Sequence, residues 1–205
     1  MKNQNYILWT IPASITIGVM IVVLCAGFKK PVPSLPIDPL RQEQVQNDIL
    51  FSARFRPLSQ VVAANEPRDS AEAAQIRQSS APIQHFILEI SPKGQGLFRE
   101  KLLNRFSNET NPEQTAEKAM NYYRFEMAPD LKLVAGQDTL LCVMHHWEQT
   151  GNTFNGNRLL LGFADPRQRN APAFDTDFVL LYREHVFSGQ TLAFPFSRDA
   201  LNATH

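Results

Sequence analysis

The sequence has no excess of either charge: 20 Lys and Arg stand against 20 Asp and Glu among 205 residues. Proteins that bind nucleic acid through bulk charge need a basic surplus to displace phosphate counterions, so that class is excluded. Only two cysteines occur, Cys25 and Cys142, which excludes a disulfide-scaffold mini-protein and gives no zinc-ligand spacing. Glycine is also scarce, at 9 residues, and Gly94-Gln95-Gly96 lacks the third glycine of a dinucleotide-binding turn. Neither Gly-x-Ser-x-Gly nor Ser-x-x-Lys is present, so the usual serine-nucleophile motifs are missing. The chain has no internal repeat, and none of its motifs names a family.

Apolar residues, by contrast, are plentiful. At 43% hydrophobic with 14 Phe, the chain can fill the core of one ordinary domain. Residues 6–28 carry no charge at all. At about 1.5 Å per residue this segment makes roughly 34 Å of helix, enough to cross a hydrocarbon layer of about 30 Å. Tyr6 and Trp9 flank one end and Lys29-Lys30 closes the other, as interfacial anchors do. The expectation is an uncleaved single-pass anchor behind a tail of residues 1–5. A cleaved signal peptide ending near Cys25-Ala26-Gly27 is the alternative, and Leu24 disfavours a lipoprotein signal. A short tail before a long domain implies tail inside and domain outside. For a bacterial source that means an inner-membrane protein with a periplasmic domain.

Residues 29–82 read as a proline-rich stalk and polar linker. Pro31, Pro33, Pro36 and Pro39 favour an extended spacer. Near 49–56, Ile49, Phe51, Ala53 and Phe55 alternate with more polar residues, giving a strand-like or amphipathic segment that ends at Pro57. Asp69 or Ser70 caps a short helix beyond it.

Residues 83–205 read as the folded domain. A strand over 83–90 precedes a helix over 97–106. Asn111 then caps a second helix, with Pro112 in its first turn and Ala116, Ala119, Met120, Tyr123 and Met127 as its buried stripe. Four strands follow: 139–148, 158–163, 178–184 and 190–196. Asn155-Gly156-Asn157 and Ser188-Gly189 supply the turns of two hairpins. This order implies an α+β fold with two helices on an antiparallel sheet; a β-sandwich with a helical insertion is the alternative.

Chemistry-bearing residues are dispersed. His145 and His146 point to opposite faces if 139–148 is a strand, so they cannot share one metal. Cys142 lies inside an apolar run, where a thiol behaves as a small hydrophobe. No catalytic constellation, cofactor site or metal site follows from the sequence. The expected function is binding of other envelope proteins, as an assembly, scaffolding or regulatory part of a bacterial envelope or secretion complex. The carboxy-terminal hairpin with Phe194 and Phe196 and the loop carrying Arg158, Arg167 and Arg169 are the expected contact surfaces. A small-ligand or cell-wall glycan module using Trp147, His146 and Tyr182 is the alternative. An envelope enzyme using His145 or His185 is the third. Nothing in the sequence sets the oligomeric state.

Overall fold

The computed structural model describes residues 38–94, 96–148, 156–165 and 176–199. Among them, eight strands form one antiparallel sheet in the order β1-β2-β3-β6-β5-β4-β7-β8. The strands are β1 Arg41–Gln46, β2 Ile49–Arg56, β3 Gln84–Pro92, β4 Leu131–Ala135, β5 Asp138–Glu148, β6 Asn157–Ala164, β7 Phe178–Arg183 and β8 Thr191–Phe196. Helices α1 Leu58–Ala64 and α2 Ser70–Ser80 connect β2 to β3. Helices α3 Phe98–Arg105 and α4 Pro112–Asn121 connect β3 to β4, followed by a π-helical turn at Tyr122–Glu126 and a 3₁₀ turn at Ala128–Asp130. The antiparallel, sheet-rich part of the expectation holds.

The sheet rolls until its two edges meet. Phe51 of β2 lies 6.2 Å from Tyr182 of β7, and Phe86 of β3 lies 5.3 Å from Phe196 of β8, so both pairs meet across the interior. The Gln44 side chain of β1 donates to the Ala193 carbonyl of β8 across the seam. No backbone ladder joins those two strands among the described residues. The interior is filled by alternate residues of each strand, as period-2 alternation requires. At one end Phe55, Phe163 and Phe196 surround Phe86 with ring centroids 5.3–5.7 Å apart in edge-to-face geometry. Each such ring contributes about 1.5–3 kcal/mol by burial.

Helices α3 and α4 cover the other end, where the β1–β2 and β7–β8 turns lie. Phe98 of α3 packs 5.7 Å from Tyr123 and 5.7 Å from Phe187. The Arg105 guanidinium donates to the Val186 carbonyl at 3.3 Å. Asn111 caps α4 as expected, its side chain accepting from Gln114 N at 3.2 Å, with Pro112 at the first helical position.

The principal correction concerns where the domain starts. The compact unit begins at Asp38, not at residue 83. β1 and β2 are integral strands joined by a two-residue turn in which Asn47 (φ 48°) and Asp48 (φ 61°) both adopt the left-handed conformation, matching a type I′ hairpin. β2 then pairs with β3 along its whole length, placing Ile49, Phe51, Ala53 and Phe55 in the core. The linker helix is also real, running over α2 with Asp69 accepting from Glu72 N at 2.8 Å. The expected anchor at 6–28 lies outside the described residues. Among the described residues no helix is long and apolar enough to cross a membrane.

Candidate functional site

The helix-covered end concentrates the polar groups of the interior. The π-helical turn widens the backbone ring so that the consecutive Tyr122 and Tyr123 both aim at the same region. Tyr182 of β7 faces inward beside them, fully buried. Its hydroxyl lies among those of Tyr122 and Tyr123. Burial, reinforced by the nearby carboxylates, pushes all three phenols above their ordinary range, so they remain protonated donors.

Glu184 is completely buried immediately after β7. Its carboxylate accepts Val186 N at 2.6 Å, Phe187 N at 3.0 Å and Ser188 N at 2.5 Å. The Ser188 hydroxyl at 2.9 Å and the Tyr123 hydroxyl at 3.4 Å complete the set. A buried carboxylate is tolerated only when paired or saturated with donors; here the β7–β8 turn wraps its own amides around one. Gly189, at φ 67°, lets the chain turn back into β8.

Asp130 sits just outside this knot. It accepts from the Tyr122 hydroxyl at 3.0 Å and lies 3.0 Å from His185 Nε2. A cavity of about 240 Å³ opens beside it, lined by Pro129, Asp130, Lys132, Leu181, Arg183 and Thr191. The last four project from the outer face of β4, β7 and β8, as the pairings Lys132–Leu181 and Arg183–Thr191 show.

The residues expected from sequence do not gather into one site. Phe194 and Phe196 are core residues, 0% and 1% exposed, so neither is available to a partner. They point inward because β8 rolls against β1 rather than presenting a flat edge. Arg158 lies on the outer face of β6 and pairs with Glu148 at 3.1 Å and Glu89 at 3.7 Å. Arg167 and Arg169 lie outside the described residues. Trp147 faces inward, its indole donating to Asn157 at 3.3 Å beneath the Arg124 guanidinium, 4.7 Å from the ring. His146 is on the opposite, outer face of β5, and Tyr182 is buried in the interior. The three therefore do not form a common ligand surface.

His145 points inward and is half-buried, and burial lowers its pKa. His85 lies opposite Gly162 and His145 opposite the adjacent Leu161, so the two histidines point to opposite faces of the sheet and cannot share a metal. Among the described residues no group of three or more potential metal ligands occurs. Burial pushes the Cys142 thiol up to about 11, the wrong direction for a nucleophile, and the thiol contacts the Met144 carbonyl at 3.2 Å. No known protein family, curated protein or solved structure matches the chain.

Glu184 and Asp130 were not singled out from sequence. The one signal available was a glutamate placed directly before a turn rich in free amides, in the run Glu184–Gly189. Lys132, Arg183 and Thr191 gave none, because only strand register brings them together.

β5 carries one further feature. Its pairing with β6 shifts between Cys142 and Met144, a β-bulge that turns Val143 out to 57% exposure beside Leu141 at 45%. Bulges re-aim side chains and recur at functional surfaces.

Proposed function

We propose that the chain is a single-pass membrane protein, held by residues 6–28, whose domain outside the cytoplasm binds other proteins. It serves as an assembly, scaffolding or regulatory component of a bacterial envelope or secretion complex. The observation that carries this reading is the bulged β5 surface. Two large apolar side chains stand in water on a rigid central strand whose other face is locked into the core. A partner that covers them gains hydrophobic contact without ordering a loop. The interior gives a small ligand little room, since aromatic rings occupy it from the Phe86 cluster to Tyr123.

The tether strengthens this reading by raising the local concentration of the domain for neighbours in the same membrane. With the domain beginning at Asp38, the spacer after residue 28 is short. Nine residues, 29–37, extend at most about 32 Å. Partners are therefore expected close to the bilayer.

The test is cross-linking in intact cells followed by affinity recovery. It compares the wild-type chain, the Leu141→Asp/Val143→Asp double variant and a chain lacking residues 1–30. The double variant should keep its melting temperature, because both positions are exposed, and should lose the stoichiometric envelope partners. Removal of the anchor should lose them too. Equal recovery from all three chains, or no specific recovery from any, would overturn the reading.

A further inference from the structure

We infer that the cavity between β4, β7, β8 and the 3₁₀ turn at Ala128–Asp130 is a binding site for a phosphate group. Lys132 and Arg183 project into it from adjacent strands, and neither has an ion-pair partner among the described residues. Among the described residues Arg41, Arg54, Lys101, Arg124 and Arg158 face carboxylates, whereas Lys132 and Arg183 do not and meet at one concavity.

The donor set suits a tetrahedral oxyanion. The Arg183 guanidinium offers a planar fork, the Lys132 ammonium a mobile point charge, and the Thr191 hydroxyl a third donor from β8. One donor comes from each of three neighbouring strands, and together they can meet several oxygens of one phosphate. Leu181 and Pro129 supply the apolar part of the lining. About 240 Å³ accommodates a phosphate with a small organic substituent.

Asp130 also lines the cavity and would repel an anion if its charge were free. Its two oxygens are instead engaged by the Tyr122 hydroxyl and His185 Nε2, each at 3.0 Å. Those contacts draw the carboxylate toward the tyrosine cluster and away from the cations. The same phosphate chemistry is available from a free metabolite-sized ester or from a phospholipid headgroup.

The experiment uses the full-length chain in neutral detergent at low ionic strength, titrated with inorganic phosphate by calorimetry. Binding should saturate at one site per chain. Lys132→Gln/Arg183→Gln should weaken it at least about tenfold, as loss of charge-assisted hydrogen bonds implies. Thr191→Val should weaken it less, and Arg54→Gln not at all. The unliganded melting temperature of each variant shows whether folding is intact; because all these side chains lie on the outer face, it should be unchanged. A second arm measures binding of the protein to vesicles of phosphatidylcholine with and without phosphatidylglycerol. Vesicle binding that phosphate displaces and the double variant lacks identifies a lipid source, whereas phosphate binding alone identifies a free ester. Absence of saturable phosphate binding, or equal binding by wild type and double variant, would overturn the inference.

Discussion

Replacing Glu184 with glutamine exchanges one oxygen for an amide group and keeps the shape of the side chain. Its effect follows from where the donors sit. Oε1 accepts Val186 N at 2.6 Å and the Tyr123 hydroxyl at 3.4 Å; Oε2 accepts Ser188 N at 2.5 Å and the Ser188 hydroxyl at 2.9 Å; Phe187 N is 3.0 Å from both. Hydroxyls can rotate to accept from an amide, but backbone N–H groups cannot. With the amide at the Oε1 position, Val186 N loses its acceptor; at the Oε2 position, Ser188 N does. Either orientation leaves a backbone donor facing another donor and removes the charge from the remaining bonds. An orphaned buried donor costs about 1–3 kcal/mol, and lost charge assistance brings the total to about 2–4 kcal/mol. For a domain of this size that lowers the melting temperature by roughly 4–16 °C. Ser188→Ala removes a single hydroxyl donor and should cost about 1 kcal/mol or less. Thermal unfolding followed by circular dichroism on both variants is the assay. A Glu184→Gln protein melting within about 2 °C of wild type would refute the reasoning, because the turn would then hold without its anion.

Three further outcomes are expected. Phe196→Ser removes a ring 1% exposed and 5.3 Å from Phe86, and should cost about 3–5 kcal/mol by urea denaturation; a midpoint near wild type would mean that the ring is not core. Burial first, and Arg56 after it, lower the His85 pKa below its ordinary 6.5, so the unfolded chain binds the proton more readily. Its contribution to stability is therefore present above pH 6.5 and lost as pH falls from there toward the lowered value, with His145 acting in the same direction. The melting temperature should drop between pH 7.5 and pH 5.5, and His85→Gln should shrink that drop; an identical pH slope in the variant would remove His85 from the account. With its thiol pushed up to about 11, Cys142 should resist a disulfide-exchange reagent at pH 8 in a Cys25→Ser background and react at once on adding denaturant; rapid native-state labelling would contradict the buried placement.

Much of the sheet was legible because its strands are short apolar runs bounded by turn residues. The runs 83–90, 158–163, 178–184 and 190–196 reappear as β3, β6, β7 and β8. α4 was legible from its cap and stripe. β1 was not: its inward residues are Gln42, Gln44 and Gln46, opposite Ala53, Phe51 and Ile49, so hydrophobic periodicity is silent there. Without β1, the apolar alternation of β2 looked like an isolated segment in a linker. β4 is five residues long, and its pattern of Leu131, Leu133 and Ala135 is too short to separate from the end of the preceding helix. The candidate site was the least legible part. Asp130, Lys132, Arg183 and Thr191 come from four elements, and only the register of β4, β7 and β8 makes them neighbours.

The seam has a mechanical consequence. Among the described residues β1 is held by a backbone ladder on one side, to β2, while Gln44 gives it a side-chain bond to β8 on the other. A pull arriving through Asp38 reaches β1 at Arg41, whose ladder partner is Arg54. Directed away from the sheet, that load opens the β1–β2 pairs in sequence, like a zipper, instead of shearing them together. Unzipping yields at lower force than shear, because only one or two bonds bear the load at a time. The strand nearest the proposed tether is thus the first to give way under tension. Its departure would uncover β2 and the edge of β8 while the remaining sheet stays paired.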